Sequence, residues 1–249
     1  MPRPLIAAVL TAATLAAPAQ ALDLEAMTDA EREAFRAEVR AYLMENPEVI
    51  MEAVQVLEER QAQAQVQQDL DLVQVNAADI FDDGFSWVGG NPDGDITLVE
   101  FLDYRCGYCK RAHEDVTRLI EEDGNIRYIV KEFPILGPES VLASRFALSV
   151  KDVAGDDAYH QALDALMTFQ GNIGQTSLRR LAEGLGLDAD AIMAGMDSDD
   201  VSRQIAETRA LAQRLQITGT PTFVLEDQML RGYVPLEQME IMVADARDD

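Results

Sequence analysis

Cys106 and Cys109 are the only cysteines in the chain, and just two residues separate them. A thiolate attacks disulfides and binds soft metals, and the neutral thiol does neither well. As a structural staple the pair would contribute little. Closing so short a loop constrains the unfolded chain by about 2 kcal/mol, against about 4.7 kcal/mol for a loop of ~100 residues. The surrounding stretch 96–113, ITLVEFLDYRCGYCKRAH, reads instead as a buried strand, a corner and a helix that the cysteines open. The start of a helix gathers free N–H groups and the positive end of the macrodipole, and both favour an anionic sulfur. Thiol pKa values fall from about 8.5 to as low as about 3.5 in such motifs. Cys106, at the helix start, is therefore expected to be the nucleophile. Cys109, one turn in and less exposed, is expected to resolve the mixed disulfide.

Glu100 precedes Cys106 on the strand and, by alternation, shares a face with Ile96, Leu98 and Leu102. A carboxylate there is costly unless it is used. Beneath the pair it would carry protons to and from Cys109; on an edge strand it would simply face water. Cys106, Cys109 and His113 also fall on one helical face, and thiolates suit Cu(I) or zinc. Structural zinc normally takes four ligands, and the other histidine, His160, lies in a separate helical block. Neither a dedicated metal site nor an organic cofactor is expected. A copper-binding chaperone that clamps the metal with the cysteine pair stands as an alternative of a different class.

The strand at 96–102, the cysteine helix and a second apolar run, IRYIVKEF at 126–133, have the spacing of a βαβ unit with a parallel sheet. Turn residues over 82–95 surround a short strand expected at 85–88. After a break at 134–137, helical periodicity fills 141–150, 158–169, 178–187, 189–196 and 199–215, an all-helical block inserted at about 138–205. Strand pattern returns at 217–225. Glu226-Asp227 would make a tight turn to a paired strand at 228–233, and Pro235 opens a last helix.

Upstream, Thr28-Asp29-Ala30-Glu31 is a capping box, and Phe35, Val39, Tyr42 and Leu43 recur on one face of the helix that follows. Asn46-Pro47 is expected to end this helix and cap the next, over 47–75. The apolar stripe of that second helix (Ile50, Val54, Leu57) fades into Gln61, Ala64 and Gln68. A long helix with one stripe cannot bury itself alone. It packs on its own globular domain or, the preferred reading, on copies of itself.

Residues 1–21 read as a cleaved export signal, with Arg3, an apolar run over 5–17 and Ala19-Gln20-Ala21. The run is shorter than the ~20 apolar residues a bilayer requires. A periplasmic location is expected, with 22–76 as a helical extension and 77–249 as the main domain. The net charge of −25 argues against nucleic acid, whose phosphates need clustered Lys and Arg, and is read as a source of solubility.

With Thr220-Pro221 set in Gly-Thr-Pro-Thr-Phe-Val, the order strand, Cys106-Gly-Tyr-Cys109, helix, strand, helical insertion, Thr-Pro, hairpin, helix resembles the DsbA family of thioredoxin-fold oxidoreductases over 88–249. The resemblance implies an α/β thioredoxin fold with an inserted helical subdomain and an N-terminal helical extension. It implies that Pro221 is cis and packs beside the cysteines. It also implies that Thr220 offers backbone hydrogen bonds to a client strand, with Gly107 and Tyr108 alongside, and that Glu100 is the family's buried acid. The run 103–110, DYRCGYCK, with Asn46-Pro47-Glu48 upstream, is similar to the ScsC (suppressor of copper sensitivity) branch. Thr220 before the proline is similar to the isomerases DsbC and DsbG, and Gly107-Tyr108 departs from the Pro-His of the strongly oxidising DsbA. The implied function is thiol–disulfide exchange on exported client proteins, as an isomerase or reductase. A monomeric dithiol oxidase is the alternative. The implied partners are a membrane redox protein (DsbD/ScsB-like, or DsbB-like for an oxidase) and, as in some ScsC relatives, further copies of the chain in a homotrimer.

Overall fold

The computed structural model describes residues 27–248, so the expected export signal lies outside the described residues. The described residues divide between Glu59 and Arg60 into two compact units.

The first unit holds helix α1 (Asp29–Glu45) and the start of α2 (Glu48–Val75). The capping box forms as expected, with Thr28 N–H donating to Glu31 at 2.9 Å and Glu31 N–H donating to the Thr28 hydroxyl at 3.3 Å. The expectation for Asn46 is corrected. Its side-chain amide donates backward to the Tyr42 carbonyl at 2.9 Å and closes α1 instead of capping α2. The last carbonyls of α1 need donors, and Asn46 is the nearest. Pro47 lies in the turn, and α2 begins one residue later. No residue of α1 is buried, and the apolar stripe stays open, with Tyr42 54%, Ile50 51% and Leu57 55% exposed.

In the second unit, Asp69 and Val73 of α2 are buried, and α3 (Ala77–Phe81) follows. A five-stranded sheet has the order β1-β3-β2-β4-β5, formed by β1 (Trp87–Gly90), β2 (Ile96–Leu102), β3 (Ile126–Glu132), β4 (Thr222–Leu225) and β5 (Gln228–Arg231). β2 and β3 are parallel, with Leu98 opposite Tyr128 and Glu100 opposite Val130, and the crossover between them is α4 (Gly107–Asp123). Gly124 ends α4 at φ 73°, a left-handed conformation that glycine adopts without a Cβ penalty. Both faces of the sheet are covered, and alternate residues divide between them. Leu98, Leu102, Tyr128, Val130 and Phe223 face one core with α4 and the insertion. Val99, Phe101, Ile129 and Val224 face the other, with Val73, Ile80 and Leu211.

The insertion comprises α5 (Pro138–Ala154), α6 (Asp156–Met167), α7 (Gln175–Gly184), α8 (Ala189–Gly195) and α9 (Asp199–Arg214), running past the expected limit at 205. α10 (Leu236–Asp248) closes the fold. β1 starts two residues later than expected because the Asp83 carboxylate accepts the N–H groups of Phe85 and Ser86, at 3.1 and 2.9 Å, and holds them in a turn. β4 is shorter than expected. Pro221 has no N–H for a ladder, and the stretch before it forms a loop.

One buried ion pair fastens the 79–86 segment to the sheet. Lys131 Nζ lies 2.6 Å from Asp83 Oδ2, with side chains 0% and 8% exposed, and also donates to the Asp79 carbonyl. Removing one partner of such a pair strands a charge in the core. Asp83→Ala is expected to cost about 3–5 kcal/mol in urea unfolding, and the double variant Asp83→Ala/Lys131→Met distinctly less. Equal losses in the two would show that the stranded charge is not the cause.

Candidate active site

The chain leaves β2 at Leu102 and turns through Asp103, Tyr104 and Arg105, so that Cys106 becomes the N-cap of α4. Cys106 N–H donates to the Asp103 carbonyl at 3.0 Å, and its own carbonyl accepts from Lys110 N–H at 3.1 Å. The buried Asp103 carboxylate accepts Arg105 N–H at 2.8 Å on one oxygen, and Ile135 and Leu136 N–H at 2.8 and 3.0 Å on the other. One side chain thus holds both the corner before Cys106 and the loop after β3.

The Cys106 sulfur lies 3.1 Å from the Thr220 carbonyl, toward which the protonated thiol donates. The Thr220–Pro221 peptide is cis, as the resemblance implied. The Cys109 thiol, and then Thr220 and the N–H groups of Cys109 and Tyr108, hold Cys106 down at about 5, although burial opposes them. Cys109 is fully buried, and burial pushes its thiol far up, with Cys106 and Glu100 adding to the effect. Two sulfurs one turn apart therefore have opposite preferences, an anion at the helix start, 8% exposed, and a neutral thiol fully in the core.

Glu100 is 1% exposed. Tyr128 donates its hydroxyl to Oε2, and Oε1 has no hydrogen-bond partner. Burial pushes the carboxyl up to about 7, against Tyr128 and His113, which lower it. His113 turns toward the insertion, where its Nε2 lies 3.0 Å from Asp164 Oδ1, and His160 reaches the same carboxylate at 3.8 Å. Among the described residues no group of three or more His, Cys, Asp or Glu side chains converges as a metal site.

The rim is partly aromatic. Tyr108 is 63% exposed and stacks on Tyr233, with ring centroids 6.5 Å apart. The Arg111 guanidinium lies 4.6 Å from the centroid of the Tyr233 ring, and the Tyr233 hydroxyl donates to Asp115 at 2.6 Å. A Cβ on Gly107 would stand in open space. Arg105 and Lys110 donate to the carbonyls of Gly171 and Phe169, fastening that loop beside the corner.

The structure thus brings together Cys106, Cys109, Glu100, Thr220, Pro221, Gly107 and Tyr108, while the His113 ring, near Glu100, pairs with Asp164 of the insertion. Tyr128, Asp103 and Tyr233 were not anticipated from sequence. Tyr128 carried a signal, a hydroxyl alternating with Ile126 and Val130 on the strand that pairs with β2. Tyr233 carried none, because its contact with α4 spans 118 residues of chain.

A βαβ frame extended by an antiparallel hairpin, with a cysteine pair opening the crossover helix and a cis-proline loop facing it, defines a thioredoxin-fold thiol–disulfide oxidoreductase. Residues 97–244 match the DSBA-like thioredoxin domain, and the chain belongs to that family. Residues 31–64 match the copper resistance protein ScsC N-terminal domain. A thioredoxin-like oxidoreductase from Silicibacter pomeroyi is 40% identical, with a TM-score of 0.64 over 69% of this chain and 98% of that one. A linker-deletion mutant of Proteus mirabilis ScsC is 26% identical, with a TM-score of 0.65 over 91% of this chain and 99% of that one. Na(+)/H(+) antiporter NhaA 1 of Salinispora arenicola is 29% identical over 160 residues, but the match takes in 64% of this chain and only 24% of the antiporter. No described helix is long and apolar enough to cross a membrane.

Proposed function

We propose that the chain performs thiol–disulfide exchange on exported proteins in the periplasm, with Cys106 as nucleophile, Cys109 as resolving thiol and Glu100 as proton carrier. The observation that carries this reading is the opposed preference of the two sulfurs. The Cys106 thiolate attacks a client disulfide; a new S–S bond forms, the client S–S bond breaks, and the displaced client sulfur leaves as a thiolate that takes a proton. Glu100 then removes the Cys109 proton, Cys109 attacks the Cys106 sulfur, and the client departs reduced while the pair is oxidised. A second client thiolate that attacks the mixed disulfide first gives isomerisation instead. Thr220, beside the cis-proline, would pair with the client backbone, and Tyr108 and Tyr233 offer an aromatic surface to residues flanking the client cysteine.

The direction favoured is isomerase or reductase, kept reduced by a membrane redox partner. Holding Cys106 at about 5 places it between the thioredoxin value of about 7 and the DsbA value of about 3.5, so its disulfide is less oxidising than that of the strong oxidase. The open stripe on α1 and α2 favours self-association, in which several active sites would surround one misfolded client. Tyr42→Glu/Leu57→Glu in the full chain is expected to lower the light-scattering mass to that of a monomer and to reduce reactivation of scrambled ribonuclease severalfold. Reduction of a small disulfide should be unchanged. A wild-type chain already monomeric, and unable to reactivate scrambled ribonuclease, would favour the dithiol oxidase.

A further inference from the structure

A second carboxyl is buried on the same face of the sheet as Glu100. Glu132, the last residue of β3, is 3% exposed. Its Oε1 accepts hydrogen bonds from two buried phenols, Tyr104 at 2.6 Å and Tyr159 at 2.7 Å. Tyr104 belongs to the corner between β2 and α4, and Tyr159 to α6 of the insertion. Oε2 has no hydrogen-bond partner, and neither have the buried hydroxyls of Ser140 and Ser144 on α5. Burial pushes Glu132 up to about 7, against the hydrogen bonds from Tyr104 and Tyr159, which lower it. The exchange chemistry asks for no proton at this place. A leucine in such a core would avoid the cost of burying a carboxyl.

We propose that Glu132 is a positioning residue for disulfide exchange: through Tyr104 it fixes the corner that delivers Cys106 to the start of α4, and through Tyr159 it ties that corner to the helical insertion. The proposal rests on reading Cys106 as the thiolate nucleophile. A carboxyl suits the task because one oxygen with two lone pairs can accept both phenols, which no apolar side chain can do. Asp103 holds the backbone of the corner, whereas Tyr104 is the side chain that anchors it in the core beneath. The thiolate is stabilised first by the Cys109 thiol, then by Thr220 and the N–H groups of Cys109 and Tyr108. Such donors act only while the sulfur stays in line with them. A corner free to rock loses part of that alignment, and the Cys106 thiol becomes a weaker acid.

The test follows the ultraviolet absorbance of the Cys106 thiolate against pH in the reduced full-length protein, with thermal unfolding measured alongside. Glu132→Leu and Tyr104→Phe are expected to raise the midpoint by roughly one unit, a tenfold fall in acidity. Glu132→Gln keeps the accepting oxygen and is expected to stay within a few tenths of a unit of wild type. Should Glu132→Leu fail to fold, Tyr104→Phe removes a single hydroxyl and decides the matter alone. Variants that melt earlier with an unmoved midpoint would make the cluster structural only and overturn the proposal. A Gln variant shifted as far as Leu would overturn it in favour of the charge. A wild-type midpoint near that of free cysteine would instead remove the thiolate reading beneath it, and that failure is read from the wild type alone.

Discussion

At about pH 5 the reduced protein is expected to attack a small soluble disulfide a few tens of times faster than free cysteine does, and at about pH 7 the two rates are expected to be comparable. The crossover follows from two opposing effects. Holding Cys106 at about 5 leaves it half ionised at that pH, whereas a thiol of pKa about 8.5 is ionised to only about 0.03%. Against this, intrinsic nucleophilicity falls with pKa along a Brønsted slope of about 0.4–0.5, which costs roughly 40-fold over that interval. The product favours Cys106 strongly in acid and hardly at all at neutrality. The low pKa therefore serves departure more than attack at physiological pH, because a stable thiolate leaves a mixed disulfide readily. Cys106→Ala should abolish the reaction. A wild-type rate that parallels free cysteine down to about pH 5 is the outcome that contradicts an anionic Cys106.

Replacing Glu100 by Gln is expected to make the protein slower and to raise its stability relative to wild type as pH rises. Burial pushes this carboxyl up from 4.5 to about 7 in the native state. The native state thus binds a proton more tightly than the unfolded chain. The stability this gives is fully present below about pH 4.5 and is lost as pH rises through about 7, a span worth about 3 kcal/mol. Glu100→Gln removes that dependence. Its stability relative to wild type in urea should improve by about 3 kcal/mol between roughly pH 4 and pH 8, whatever constant offset the buried amide adds. The kinetic effect has the opposite sign. Cys109 is held as a neutral thiol, and general-base assistance to such a proton contributes typically about 10²–10⁴-fold. Release of a client analogue from the Cys106 mixed disulfide, followed in a single turnover at about pH 7, should slow by about 10²-fold. Unchanged release would take Glu100 out of the reaction even if the stability change appeared.

Much of the frame could be read before any coordinates. The parallel pairing of β2 with β3, the helix between them and the hairpin after Pro221 follow from alternation, turn residues and the length of each apolar run, all local properties of the chain. Boundaries failed where a side chain overrode local pattern, as when the Asp83 carboxylate captured the N–H groups of Phe85 and Ser86 and delayed β1 to Trp87. Asn46 failed for a related reason. Its amide had two helix ends within reach, and the carbonyls of α1 took it.

The sequence alone determined that Cys106 would open a helix with Cys109 one turn in, because helix periodicity fixes those directions within a few residues. That Glu100 stands buried behind the pair, and not in water on an edge strand, was decided by the place of β2 inside the sheet. Tertiary structure decided which hydroxyl Glu100 would meet, where His113 would turn, and that Glu132 would hold one phenol from the corner before α4 and one from the insertion. Those contacts join residues separated by 27 to 51 positions. The pairing of β2 with β3 brings Tyr128 to Glu100 and Glu132 beside the corner. Only the packing of the insertion, which local pattern does not encode, brings Tyr159 to Glu132 and Asp164 to His113.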